Sequence, residues 1–317
     1  FFLLEYYSII FLKGNFNIMW GDKPYYSLDY FFKQKFGEKI IKITLNGGFT
    51  CPNRDGKIAL GGCTFCSSEG SGEFAGNKLK SITEQFQDQK IIMRRKWKSN
   101  KYIAYFQAYT NTYAPINKLK KLYDEALNQN GVVGLSIGTR PDCLSDEVLN
   151  LLCEYNKKTF LMVELGLQSS KKETGILINR GHDIKCFEDG VKKLRERNIY
   201  VVSHVIFGFP NETKYDMIET VKFINNLDIQ GVKYHLLYIV KNSTLFEQYK
   251  KDPSIYKLTK DDYIEILGEA ICLTNPEIVI HRITGDAKRE DIVEPMWSIK
   301  KWELLNEIHK YLKEQNI

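Results

Sequence analysis

The sequence predicts an α/β fold, a full or partial β/α barrel, and three observations carry that expectation. Short β-branched runs alternate with amphipathic segments along nearly all of the 317 residues. No low-complexity linker divides them. Polar groups and glycines gather where each apolar run ends, which is where parallel α/β folds place their ligands. Composition agrees, since 43% hydrophobic and 26% charged residues exclude a disordered or fibrous chain.

In chain order the strand candidates are KIIKITL (39–45), YIAYFQA (102–108), VVGLSIG (132–138), FLMVELGL (160–167), YVVSHVIFG (200–208), GVKYHLLYIV (231–240) and EIVIHRI (277–283). Their Val, Ile and aromatic content suits strands buried on both faces. Between them, apolar residues recur at spacings of three and four over 116–127, 145–155, 183–197, 214–227 and 260–273, and again over 298–313. That period marks helices packed on one side. Strands alternating with single helices imply a parallel sheet with right-handed crossovers. Residues 19–275 are therefore expected to form the catalytic core, and 276–317 a C-terminal strand and helix packed on it. Position 1 is Phe and Met19 opens a more ordinary stretch, so 1–18 reads as an appended or mistranslated extension. That extension is broken by Glu5 and is shorter than the roughly 20 apolar residues of a membrane span. It has no basic leader or small-residue cleavage site either. A cytoplasmic protein with no membrane segment is expected.

The formal charge of +6 is not spread evenly. Residues 78–101 hold eight Lys and Arg against two Asp and Glu, and the other 293 residues carry 37 of each sign. A uniformly basic nucleic-acid coat is excluded. Within that segment Arg94, Arg95, Lys96, Trp97 and Lys98 combine four cations with a stacking surface, so they are candidates for gripping nucleic acid. The alternative is a solvated helix face, with Ile82, Phe86, Ile91 and Ile92 as the apolar stripe.

Seven cysteines, an odd number, argue against a disulfide framework. Three of them fall in one loop, CPNRDGKIALGGCTFC: Cys51, then eleven residues, Cys63, two residues, Cys66. Thiolates bind iron and zinc. A structural zinc site or a ferredoxin-type cluster wants four protein ligands, and no fourth appears at such spacing. Three cysteines suit a 4Fe–4S cluster with one iron left open; a zinc loop completed by a distant residue is the alternative. Cys143, Cys153, Cys186 and Cys272 read as buried small apolar residues.

This loop, ending in CTFC directly after the first strand of a barrel, resembles the radical S-adenosylmethionine superfamily. The superfamily's usual spacing is three residues and then two. Eleven then two matches a less common branch, with a core like those of the Elongator catalytic subunit and oxygen-independent coproporphyrinogen oxidase. Branch-like strings are GSGEFAG (70–76), FQAYTNTYAP (106–115), GTRPDCL (138–144), ELGLQS (164–169), NRGH (179–182), HVIFGFPNET (204–213) and RITGD (282–286).

The resemblance implies a partial (β/α)6-type TIM barrel of the radical SAM kind. It also implies a 4Fe–4S cluster on Cys51, Cys63 and Cys66, with S-adenosylmethionine on the open iron and a 5′-deoxyadenosyl radical formed from it. Phe65 is then expected near the adenine, with Ile206 and His204 on the strand beside it. Residues 107–111, including Gln107 and Asn111, take the place of the superfamily's Gly-Gly-Glu. Arg180 is the candidate for the methionyl carboxylate, Glu164 and Gln168 for the ribose hydroxyls or amino group, and Arg140 for a further site contact. His235 and Asp286, at strand ends, are candidate acid–base groups.

The branch has been linked to tRNA wobble-uridine modification, the carboxymethylaminomethyl to aminomethyl step, so tRNA is the implied substrate. A flavodoxin or ferredoxin donor and a following tRNA methyltransferase are the implied partners. Alternatives are a small-molecule radical enzyme acting on a porphyrinogen and a non-catalytic metal-binding RNA-binding module.

Overall fold

The computed structural model describes residues 20–315 and 317, and the extension expected at 1–18 lies outside them. Seven strands form one sheet in chain order, with every neighbouring pair parallel. They are β1 (Ile40–Leu45), β2 (Lys101–Phe106), β3 (Val132–Thr139), β4 (Phe160–Gln168), β5 (Tyr200–Phe207), β6 (Gly231–Leu236) and β8 (Val279–Arg282). The two edges are β1 and β8, so the sheet is a curled half-barrel of the expected α/β type. Six of its strands come from the β/α repeat and the seventh from the C-terminal segment.

Helices return the chain between strands, and their first turns are written into the sequence. Ser81, Thr213 and Thr259 each build a capping box with Glu84, Asp216 and Asp262, which satisfies the orphan N–H groups of the helix start. Helices at Ile116–Leu127 and Lys260–Leu273 keep the bounds of the apolar period, and Ile184–Arg195 is capped by Asp183.

The run 231–240 does not stay one strand. The Leu237 N–H turns to the Phe207 carbonyl (2.9 Å), and β7 (Ile239–Val240) leaves the sheet to pair antiparallel with β9 (Ile292–Glu294).

The helix Leu28–Phe36, which follows no strand among the described residues, closes the bottom of the half-barrel. Its Phe32 packs with Ile40, Ile103, Met162 and Val202, from β1, β2, β4 and β5. Phe31 lies on Phe160 and Tyr200, with ring centroids 5.9 and 5.5 Å apart. The chain enters this helix against β8, where the Ile280 N–H bonds the Tyr26 carbonyl at 2.7 Å. The lumen therefore has an apolar floor at the amino ends of the strands. Among the described residues no helix is long and apolar enough to cross a membrane.

Phe32 is 2% exposed, so Phe32→Ala is expected to lower stability by about 3–5 kcal/mol. Urea unfolding measures this. Iron bound per chain after reconstitution should not change, because the cysteine loop is at the other end.

Candidate active site

A cavity of about 250 Å³ opens at the carboxyl ends of the strands, and Cys51, Cys63 and Cys66 line one wall of it. The loop that carries them is held from three sides. Arg54 donates to the backbone carbonyls of Cys66 (3.3 Å) and Ser67 and lies over the Tyr109 ring. Gly62 (φ +83) runs so close to Arg54 that a Cβ would stand 2.8 Å from its Nε. The segment 179–182 supplies the third side: Asn179 Nδ2 bonds the Gly62 carbonyl (2.9 Å) and Asn53 Nδ2 bonds the Asn179 carbonyl (2.5 Å). Ser71, Tyr109 and Gln168 line this cavity with left-handed backbone, φ of 62°, 61° and 68°. Such strain in non-glycine residues collects at functional sites.

Cys63 and Cys66 are hydrogen-bonded to each other, and that bond, with Arg54 and Ser71, pushes the Cys66 thiol down to about 7 against the opposing effect of burial. Among the described residues no three Cys, His, Asp or Glu side chains stand at metal-holding spacing. The donor set nevertheless fits an iron–sulfur cluster. It offers three soft thiols on one wall beside a guanidinium, and among the described residues no other cysteine lines the cavity.

Below the mouth, every strand of the sheet places one polar side chain in a single layer: Lys42, Tyr105, Ser136, Glu164, His204, Lys233 and Arg282. Side chains alternate across a strand, so this layer sits two residues above the apolar floor: Ile40 and Lys42, Ile103 and Tyr105, Met162 and Glu164, Val202 and His204. Glu164, on the central strand and 1% exposed, is its hub. Oε1 accepts from Lys42 Nζ and Ser136 Oγ, both at 2.6 Å. Oε2 accepts from Tyr105 Oη and His204 Nε2, both at 2.8 Å, and from Lys233 Nζ.

Burial alone would raise the Glu164 carboxyl, but Lys233, Lys42 and His204 hold it well below the usual range. Burial, with Lys42 and Arg282, brings the Lys233 ammonium down to about 7 against the pull of Glu164. Burial and Lys233 keep His204 neutral, at about 4.

The structure gathers most of the sequence-predicted residues round this cavity: Phe65, Gln107, Arg140, Glu164, Gln168, Arg180, His204, Ile206, His235 and Asp286 all line it. Their partners change several readings. Asn111 is fully buried outside the cavity lining, with Nδ2 on the Gly138 carbonyl (2.7 Å), where it ties β3 to the turn after β2. Arg180 donates through Nη1 to the backbone carbonyls of Leu167 and Ser169 and through Nε to that of His182, so it also ties the strand end to the 179–182 segment. Arg140 makes a bidentate pair with Asp142 (2.9 and 2.6 Å). Asp286 pairs with Arg282 (3.1 Å) and Lys301. Phe65 packs on Phe209 with centroids 5.6 Å apart, in the same apolar cluster as Ile206.

The basic segment is placed elsewhere. The helix Ile82–Arg94 starts at the mouth, where Gln85 bonds the Asn46 backbone, and runs about 20 Å to the opposite end. There Arg94 reaches Tyr102 Oη (3.1 Å) at the start of β2, and Lys39, just before β1, covers the Trp97 ring at 4.1 Å. Arg94, Arg95, Lys96, Trp97 and Lys98 thus lie at the floor end. These nucleic-acid candidates therefore stand at the end of the barrel away from the cysteine loop, because a helix that spans the barrel separates them from it. Conversely Lys42, Tyr105 and Lys233 were hidden inside runs read as plain strands. The legible signal was a lysine at lumen parity in a doubly buried strand.

The parallel half-barrel with a three-cysteine loop after its first strand defines the class. The Radical SAM superfamily description matches residues 49–224, and that of the Radical SAM C-terminal domain residues 229–314. The chain belongs to the radical SAM superfamily and is an enzyme, whose cofactors are a 4Fe–4S cluster and S-adenosylmethionine. It is 48% identical to the Bacillus subtilis (strain 168) protein YtqA over 294 residues, 93% of this chain and 91% of that one. It is 24% identical over 188 residues to the tRNA uridine(34) acetyltransferase of Methanocaldococcus infernus, 58% of this chain and 34% of that protein. The solved structure of the archaeal Methanocaldococcus infernus Elp3 with an N-terminal deletion shares the fold, with a TM-score of 0.66 and 18% identity over 87% of this chain and 63% of that one.

Two outcomes follow from the polar layer. Glu164→Gln leaves Lys42 and Lys233 buried without a counter-charge, and is expected to cost about 3–5 kcal/mol in denaturant unfolding. Lys233 faces Glu164, Lys42, Tyr105, His204 and Arg282, and its proton leaves the native state near 7 but the unfolded chain only near about 10.4. Between those values the unfolded state holds the extra proton, so this residue makes stability rise with pH. The Lys233→Met variant should lack that rise, read as a smaller slope of unfolding free energy against pH over the same window.

Proposed function

We propose that this enzyme modifies the 5-substituent of the tRNA wobble uridine, taking carboxymethylaminomethyl toward aminomethyl. The observation that carries the reading is the shared barrel sequence with a relative named for tRNA uridine(34), in a chain whose radical site opens at the strand ends. On this reading Cys51, Cys63 and Cys66 hold three irons. When bound, the cofactor pair supplies a radical able to take a hydrogen atom from the substrate.

The rest is the work of this chain. Phe65, Phe209 and Ile206 offer an apolar wall to the adenine. Gln168 and Gln107 offer amide groups to the ribose and amino functions at the mouth. Arg180 and Arg140 act as positioning residues that fix the strand ends and the loop segment beside the cysteines, rather than as a carboxylate fork. His204 holds Glu164, and the apolar floor keeps the far end of the lumen closed. A flavodoxin or ferredoxin would deliver the electron, a tRNA methyltransferase would take the aminomethyl product, and the setting would be the cytoplasm.

The test is to compare modified nucleosides in tRNA from cells with and without the gene, and then in the same tRNA after incubation with the anaerobically reconstituted enzyme. Accumulation of carboxymethylaminomethyluridine in the deletion, and its loss in vitro, is expected. Unchanged uridine modification in both would overturn the reading. Neutralising Arg94, Arg95, Lys96 and Lys98 together is expected to leave the salt dependence of tRNA binding unaltered, because phosphate contacts would otherwise add to that slope.

A further inference from the structure

The polar layer does not balance its own charge. Among the described residues Glu164 is the one carboxylate that Lys42 and Lys233 share, so with both lysines protonated the cluster carries one cation too many. Arg282 does not relieve the excess, since its own partner, Asp286, is also claimed by Lys301. Nor can the histidines carry negative charge. The one on β5 donates to Glu164, and His235 Nε2 is buried with no hydrogen-bond partner among the described residues. A purely structural layer would have been apolar, as the floor two residues below it is, or paired one to one. Burying an unmatched ammonium costs several kcal/mol, and this excess lies where the cavity of the cysteine loop reaches into the lumen: Glu164, Lys233, His235 and Arg282 line that same cavity.

We propose that this layer is an anion-binding subsite, and that the ligand completing the ion pair beside Lys233 and Arg282 is a carboxylate carried on the substrate's side chain. The proposal rests on the reading that this cavity is the substrate site. Two features select the chemistry. The surplus around Glu164 is a single charge, which one monoanion cancels. Lys233 also lies three residues before the end of β6, about 10 Å below the mouth. A slender terminal carboxylate reaches that depth, whereas a phosphate in a polynucleotide backbone stays outside. The subsite thereby deepens the proposed function: it would select a wobble substituent ending in a carboxylate over one that lacks it.

The experiment uses the reconstituted full-length protein and no tRNA. Acetate and inorganic phosphate are titrated separately at constant ionic strength near pH 7. Binding is followed by the thermal unfolding midpoint and by the ¹⁵Nζ resonance of Lys233, assigned with the Lys233→Met variant. Acetate is expected to raise the midpoint and to shift the Lys233 resonance toward the ammonium form, with phosphate weaker. Lys233→Met should weaken acetate binding about tenfold or more, while unfolding at the same or a higher temperature in the absence of acetate, because the unmatched cation is gone.

The proposal is overturned if acetate does no more than chloride, if phosphate binds more tightly than acetate, or if Lys233→Met keeps the full acetate response. A lower unfolding temperature in that variant would remove the premise of surplus charge. The unfolding midpoint of the wild-type protein in acetate, phosphate and chloride decides the matter even if the variant does not fold. Because no arm contains tRNA, a failure here leaves the nucleoside comparison untouched, and a failed nucleoside comparison leaves the subsite standing.

Discussion

One buried carboxylate organises this molecule. Glu164 stands on the central strand and accepts hydrogen bonds from side chains on five others. A carboxylate this deep is tolerable only with such partners. The partners in turn are drawn inward, so the half-barrel has a charged lumen where barrels of this kind usually stack Val, Ile and Leu. The floor helix closes the end of the lumen behind the layer, and the cavity of the cysteine loop reaches the layer from the mouth.

Above the layer the constraint is geometric. The cysteine loop has little regular structure of its own, and its shape is imposed by Arg54 from within and by the 179–182 segment from across the mouth. Arg180 and Arg140 belong to the same scaffold, since Arg140 Nη1 bonds the Arg180 carbonyl at 2.7 Å. The motif NRGH is therefore a brace for the loop that holds the thiols. The thiols and the polar layer face one cavity.

Much of the fold was legible because strand and helix periods are local properties. The seven apolar runs became the strands of one sheet in order, and the three spaced cysteines line the cavity at its strand ends. What stayed hidden depended on distance in space. The helix Leu28–Phe36 carries an ordinary amphipathic pattern, and nothing in KPYYSLDYFFKQKF says that it plugs a barrel. Arg94–Lys98 sit next to the cysteine loop in sequence, yet a thirteen-residue helix carries them to the other end. Arg180 has the chemistry of a carboxylate fork, but its Nη1 and Nε bonds to three backbone carbonyls come from segments that only the fold brings to it. Lys42 and Lys233 looked like strand residues with charged tips; only the register across the sheet brings them to one acid.

The central claim is that Glu164 is ionised and shared between two lysines inside the folded protein. Carboxyl ¹³C NMR of glutamate-labelled enzyme, with the resonance assigned through Glu164→Gln, measures this directly. The account predicts a carboxylate shift that stays flat from about pH 7 down to about pH 4, below which an ordinary glutamate would already be half protonated. A titration midpoint at or above about pH 5 would contradict it.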